Sequence, residues 1–260
     1  MKKVLLLRLR SAGTTPFSPG SIPGLWGWYD FSDLTTMFTT SAGSTPVASD
    51  GDLVGRVEDK SGNARHLTTV DANRPTYKTS AFGSKSAILF GVGGVGKVLA
   101  TAVNLNNLNF TTIAVIKTPA TITGGVAYST MTSYNTTGPN GTRMAYIDTD
   151  GVLKESTAPT TVVTSYGVTP TVSTAYIFSA TANSDGSPLR RIQLNQQAAV
   201  TDNTAITSTD QLFRVGVHSV NNLNNFWTGH IGEILIYVEA ISDSDTLLAQ
   251  TFLNGRWGVY

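Results

Sequence analysis

The stretch Ile231-Gly232-Glu233-Ile234-Leu235-Ile236-Tyr237-Val238, followed closely by Ile241-Ser242-Asp243-Ser244-Asp245, decides how the chain is read. The first run is an apolar strand. The second is a helix start, in which Ser242 can cap and Asp245 sits at the capping-box distance. Leu248 and Phe252, and likewise Ala249, Leu253 and Trp257, then recur every four residues, the spacing of an amphipathic helix. Asn254-Gly255 offers a C-terminal stop. One short helix therefore closes a chain whose preceding segments read as strands.

Working back from that ending, strand-like runs cover residues 86–90, 111–117, 125–134, 142–147, 161–166, 174–181, 189–194 and 212–218. Asn140-Gly141, Asp150-Gly151 and Asp185-Gly186 lie between them, and such dipeptides are the usual hairpin cue. Threonine is abundant, which suits a pleated, half-exposed surface because its branched carbon favours extended backbone. A length of 260 residues is enough for one large all-β domain. The expectation is an antiparallel two-sheet sandwich with a short C-terminal helix.

A resemblance sharpens this. Gly229, Ile231, Glu233, Ile236, Tyr237, Ile241, Ser242, Asp243, Trp257 and Gly258 form a pattern near the C-terminus. Near the front stand Leu25-Trp26-Gly27-Trp28-Tyr29-Asp30-Phe31-Ser32-Asp33, Val57-Glu58-Asp59-Lys60-Ser61-Gly62-Asn63-Ala64-Arg65-His66-Leu67 and Arg74-Pro75-Thr76-Tyr77. Together these resemble laminin-G-like (concanavalin-A-like) jelly-roll domains, particularly those of bacteriophage structural proteins. The resemblance spans about residues 22 to 260 and implies a jelly roll whose large aromatics pack the sandwich. It also implies a place on a virion, assembled in the host cytoplasm, rather than a catalytic role.

The beginning reads differently from the rest. Residues 11–23 are rich in Ser, Gly, Thr and Pro, and Pro16, Pro19 and Pro23 exclude regular structure. We therefore expect an extended N-terminal arm over residues 1–22 and a jelly-roll domain over 23–260. As a strand, the arm would place Leu5, Leu7 and Leu9 on one face and Arg8 and Arg10 on the other. Val4, Leu5, Leu7, Arg8, Leu9 and Arg10 are the expected docking residues, adding to a sheet edge of this subunit or a neighbour. The apolar run before Arg8 is shorter than a signal peptide requires, so neither an export signal nor a membrane span is expected.

The charge balance is nearly even, 18 Lys and Arg against 17 Asp and Glu, with only 13% of residues charged. Nothing in it implies attraction to nucleic acid. The absence of cysteine excludes disulfides and thiolate metal sites.

Chemistry-bearing motifs are sparse. Gly91-Val92-Gly93-Gly94-Val95-Gly96-Lys97-Val98 imitates a phosphate-binding loop, but Val98 stands where a Ser or Thr hydroxyl must hold magnesium, and no acidic residue occurs between Asp71 and Asp148. Glycosidases of this fold need two carboxylates about 5 to 9.5 Å apart. Glu233 and Glu239 would lie about 20 Å apart along a strand. Asp148 and Asp150 could share a face about 7 Å apart, but Asp150-Gly151 reads more simply as a turn. His66, His218 and His230 lack metal-ligand spacing. Asp50 and Asp52 are the candidate calcium ligands. In Asn221-Asn222-Leu223-Asn224-Asn225-Phe226-Trp227, Asn222, Asn224 and Trp227 are the candidate glycan contacts.

The expected function is that of a non-enzymatic phage virion component, an external capsid decoration or a tail or fibre part. Its expected partners are other virion proteins, copies of itself on the particle, and a host surface glycan. A carbohydrate-binding adhesin module is the alternative, followed by a polysaccharide hydrolase or lyase.

Overall fold

The computed structural model describes residues 16–91, 96–105, 109–121, 125–129, 143–147, 152–157, 163–165, 169–203, 211–219 and 222–260. In chain order the front strands are β1 (Leu25–Asp30), β2 (Met37–Phe38), β3 (Arg56–Val57), β4 (Leu67–Thr68), β5 (Thr76–Phe82) and β6 (Lys85–Leu89). The middle holds β7 (Leu99–Leu105), β8 (Phe110–Lys117), β9 (Gly125–Ser129), β10 (Arg143–Ile147), β11 (Leu153–Thr157) and β12 (Val163–Ser165). Then follow β13 (Ala175–Ala182), β14 (Arg190–Leu194), β15 (Val200–Asp202), β16 (Gln211–Val215), β17 (Val217–Ser219), β18 (Asn222–Phe226) and β19 (His230–Tyr237). Helix α1 (Asp243–Trp257) closes the chain.

Two antiparallel sheets carry the architecture. The first runs β15-β14-β13-β8-β19-β6-β5, with β1 also paired to β19, and the second runs β12-β11-β10-β9-β16-β7-β4-β3-β2. β17 and β18 form a separate ribbon. The all-β sandwich with one C-terminal helix is thus the fold.

Between the sheets lies the main core. Tyr29 of the first sheet stacks on Phe213 of the second, with centroids 6.3 Å apart and planes 7° from parallel. A second apolar layer lies on the far side of the first sheet, where Ala249, Leu253 and Trp257 of α1 cover Ile113, Val115, Leu235 and Tyr237. β8 and β19 are therefore buried on both faces, which is why the sequence of β19 is apolar almost without alternation. A bulge beside Gly232 lets both Ile231 and Ile234 enter the inter-sheet core. A Cβ at Gly232 would lie 2.7 Å from the Trp257 ring.

Ser242 caps α1, accepting from the Asp245 N–H at 3.1 Å, while its hydroxyl donates to the Asp245 carboxylate at 2.7 Å. The helix does not stop at Asn254-Gly255 as its sequence suggests. It continues to Trp257, and Gly258 ends it in the left-handed region at φ 60° and ψ 49°, the conformation glycine tolerates best. Its buried stripe also differs from the expected one. Leu248 is 48% exposed, whereas Thr246 and Gln250 are buried, because they face polar partners: Arg191 donates to Thr246 Oγ1 at 2.8 Å, and Gln250 Nε2 donates to Ser179 Oγ at 3.0 Å.

The expected strand over 212–218 is interrupted at Gly216, whose φ is 95°. Any side chain there would collide with Phe90. Upstream, residues 1–15, which include the expected docking residues, lie outside the described part. Phe17 packs edge to face on Phe252 of α1 at 5.7 Å, Ile22 is buried, and the Tyr237 hydroxyl donates to the Pro19 carbonyl at 3.2 Å.

Candidate functional site

A buried polar cluster lies where β1, β19 and α1 meet. Asp30 and Glu233 are cross-strand neighbours, 2% and 0% exposed. One Glu233 oxygen accepts the Trp28 indole N–H at 2.7 Å. The other accepts the Trp257 indole N–H at 2.6 Å and Arg256 Nε at 3.0 Å. Arg256 also grips Asp30, to which Lys60 donates at 3.1 Å. Lys60 reaches on to Asp33 at 2.7 Å.

Burial pushes the Glu233 carboxyl above its ordinary pKa and the charge on Asp30 adds to this, while Arg256 and the two indoles pull it back. Two adjacent carboxylates, one of them raised, superficially meet the requirement for glycoside hydrolysis. Access decides against that reading. Both Glu233 oxygens are occupied by protein donors and neither carboxylate reaches solvent, so a sugar could meet them only by dismantling the cluster. These residues fasten α1 to the first sheet.

The front motif serves the same end. Asp59 Oδ1 accepts the N–H groups of Trp28 at 3.0 Å and Ser61 at 2.9 Å, and Oδ2 accepts the Arg65 N–H at 3.1 Å. Arg65 donates to the Trp26 carbonyl at 2.8 Å and lies over the Trp26 ring. The loop from Glu58 to His66 is thereby strapped across β1.

The arm positions Val4 to Arg10 lie outside the described residues, as do Asp148 and Asp150. Asn222 and Asn224 fall on β18. Trp227 is 1% exposed and belongs to the inter-sheet core, so its ring cannot stack on a sugar. Asp50 is paired with Lys78 and accepts the Thr79 N–H at 2.8 Å, while Asp52 accepts the N–H groups of Ala48 and Ser49 at 2.9 and 2.8 Å. These contacts hold both carboxyls below their ordinary pKa. Among the described residues no group of three His, Cys, Asp or Glu side chains is arranged to hold a metal. Of the decoy loop, Gly91 is described and Lys97 donates to the Ala72 carbonyl at 3.0 Å.

A different feature escaped sequence reading. The register Phe38–Arg56–Thr68–Ala100–Arg214 runs straight across β2, β3, β4, β7 and β16. The adjacent row, Met37, Val57 and Leu67, is core, so by strand alternation the first row lies on the outer face of the second sheet. Over its centre is a cavity of about 470 Å³ whose lining includes Ser41, Thr68, Thr69, Asn73, Val98 and Ala100. Hydroxyls, an amide and small apolar groups therefore share one open recess. Strand alternation could have put these residues on one face, but the pairing that aligns them is long-range.

No family model matches the chain, and no curated protein matches it. Solved structures do. Trypanosoma rangeli sialidase aligns at a TM-score of 0.59 and 11% identity, covering 90% of this chain and 33% of its own. An arabinofuranosidase complexed with arabinofuranosyl-α-1,2-xylobiose gives 0.61 and 13%, covering 87% and 61%. A GH54 α-L-arabinofuranosidase soaked with a cyclic sulfate inhibitor gives 0.61 and 13%, covering 89% and 62%. The likeness is one of fold. This β-sandwich spans about a third of the sialidase and about three fifths of each arabinofuranosidase.

Proposed function

We propose that this β-sandwich is a non-enzymatic structural component of a bacteriophage particle, exposed on the head or tail and docked through Val4, Leu5, Leu7, Arg8, Leu9 and Arg10. The observation that carries the reading is the saturation of Glu233. Of the residues that make the chain resemble laminin-G-like virion domains, Trp28, Asp30, Glu233 and Trp257 are spent on holding α1 and β1 together. A motif spent this way supports a passive building block. The packing of Phe17 and Ile22 on the body supports the arm's role.

The test is removal of residues 1–15 with Phe17 retained. The shortened chain should melt as the full chain does and fail to co-sediment with particles assembled in its absence. Normal incorporation of the shortened chain would refute docking through the arm.

A second reading, a carbohydrate-binding module, draws on the recess over Thr68 and Ala100. Its hydroxyls, the Asn73 amide and the apolar Val98 match the mixed polar and apolar character of a sugar ring. The carbohydrate chemistry named for the structural neighbours is in keeping with it. A screen of host polysaccharides against the purified chain tests it, and the absence of binding to any would exclude it.

A further inference from the structure

At the C-terminal end of α1 several elements meet around a cavity of about 430 Å³, within the size range of small-ligand sites. Gly83 and Ser84 reach it from the turn between β5 and β6, and Ser173 from the segment just before β13. Lys117 and Ala175, cross-strand neighbours at the ends of β8 and β13, also line it, and Phe82, Trp257 and Gly258 complete the wall. Unlike the Glu233 cluster, this place is open. Gly83, Ser84, Ser173 and Gly258 are exposed, and a Cβ at Gly83 or Gly258 would meet nothing within 4 Å.

Its polar groups are unspent. Lys117 is half-buried and donates to the Ala81 carbonyl at 2.7 Å, which leaves its other ammonium donors to the cavity. Among the described residues no carboxylate pairs with Lys117, nor with Lys85, whose ammonium lies 5.7 Å from the centre of the Trp257 ring. The Ser84 and Ser173 hydroxyls make no hydrogen bond among the described residues, and no acidic side chain lines the cavity. The partial negative end of α1 draws cations here, but it explains neither free hydroxyl.

The directions of the donors select the ligand. An ammonium is a point charge with rotatable donors, without the planar fork by which guanidinium grips carboxylate. In the strand order β13-β8-β19-β6-β5, Lys117 stands between the element that carries Ser173 and the one that carries Ser84. Donors converging from three elements match the divergent oxygens of a tetrahedral phosphate. The cavity is larger than phosphate needs, and Phe82 and Ala175 give the remaining space an apolar wall, against which the carbon body of an ester can lie.

We propose that this cavity binds phosphate esters of sugars or polyols, with the Lys117 ammonium as charge partner and the Ser84 and Ser173 hydroxyls as further donors. The site is separate from the arm and from the recess over Thr68, and it stands or falls independently of both.

Calorimetric titration of the full chain with glucose 1-phosphate and glycerol 3-phosphate, beside glucose, glycerol and inorganic phosphate, tests it. At least one ester should bind about tenfold or more tightly than its phosphate-free parent and than inorganic phosphate, and added salt should weaken it. Lys117→Gln should weaken ester binding by about tenfold or more. Should that variant fold poorly, Ser84→Asp places a carboxylate at the exposed rim of the cavity and should abolish ester binding with the melting temperature retained. No ester binding, or equal binding of ester and parent, overturns the proposal and leaves the arm and the recess untouched. Inorganic phosphate binding as tightly as the better ester would make this a general anion site and equally overturns it. So does undiminished ester binding by a folded Lys117→Gln or Ser84→Asp chain.

Discussion

The indole N–H of Trp257 donates to Glu233 at 2.6 Å, and the Trp28 indole approaches the same carboxylate from β1. One side chain thus joins the last turn of the helix to strands from opposite ends of the sequence. Glu233 is completely buried, so its partners are indispensable to it and it to them. Truncating one member of such a set costs more than the set contributes, because the survivors are left without partners.

Glu233→Ala should therefore lower unfolding free energy by about 3–5 kcal/mol. Trp257→Phe, which keeps most of the ring volume and removes one donor, should cost about 1.5–3 kcal/mol. Urea denaturation followed by tryptophan fluorescence measures both. Equal, small losses would mean that the cluster is not what holds α1.

Gly232 lies under the same ring. A methyl group there would sit 2.7 Å from the Trp257 ring carbons. Gly232→Ala is expected to cost about 1–3 kcal/mol by overpacking, with a loss of near-ultraviolet dichroism as the indole shifts. A neutral result would show that the helix can move away freely.

Two glycines three positions apart should respond with opposite sign. Gly255 is inside the helix with open space around its Cα, whereas Gly258 holds a positive φ of 60°. Gly255→Ala should stabilise by about 0.4–1 kcal/mol and Gly258→Ala should destabilise by at least as much. Thermal melts of the two variants decide it. The same sign for both would contradict the placement of the cap.

His230 supplies a pH dependence. Burial, then the charges of Lys117 and Lys78, lower its pKa from 6.5 to about 4. Between those values the unfolded chain binds a proton that the folded chain does not, so stability rises with pH. The contribution is complete above about pH 6.5 and disappears as pH falls toward about 4. His230→Gln should flatten that part of the stability profile. An unchanged slope would place the titration elsewhere, the lowered carboxyls of Asp33, Asp50 and Asp52 being the next groups to substitute.

The sandwich was legible because its signals are local. β19, the Ser242 cap and the period of α1 can each be read within a dozen residues. The helix end was not, because Asn254-Gly255 has the composition of a stop while the left-handed turn is made at Gly258. The buried side of α1 includes Thr246 and Gln250 rather than Leu248, because hydrophobicity does not reveal that Arg191 and Ser179 supply them with polar partners. Glu233 carried the strongest signature, yet its partners Asp30 and Trp28 lie some two hundred positions away, and only the β1–β19 register brings them together. Arg214 gave no signal at all: an arginine in an alternating strand reads as solvent-facing, and its burial belongs to the tertiary structure.

As proposed, this sandwich would be a passive block attached by its leading residues. Incorporation into particles of a full-length chain carrying Leu5→Asp, Leu7→Asp and Leu9→Asp, quantified beside the wild type, tests that role. An unchanged melting temperature and a drop in incorporation of tenfold or more are expected. Wild-type incorporation of that variant would contradict it.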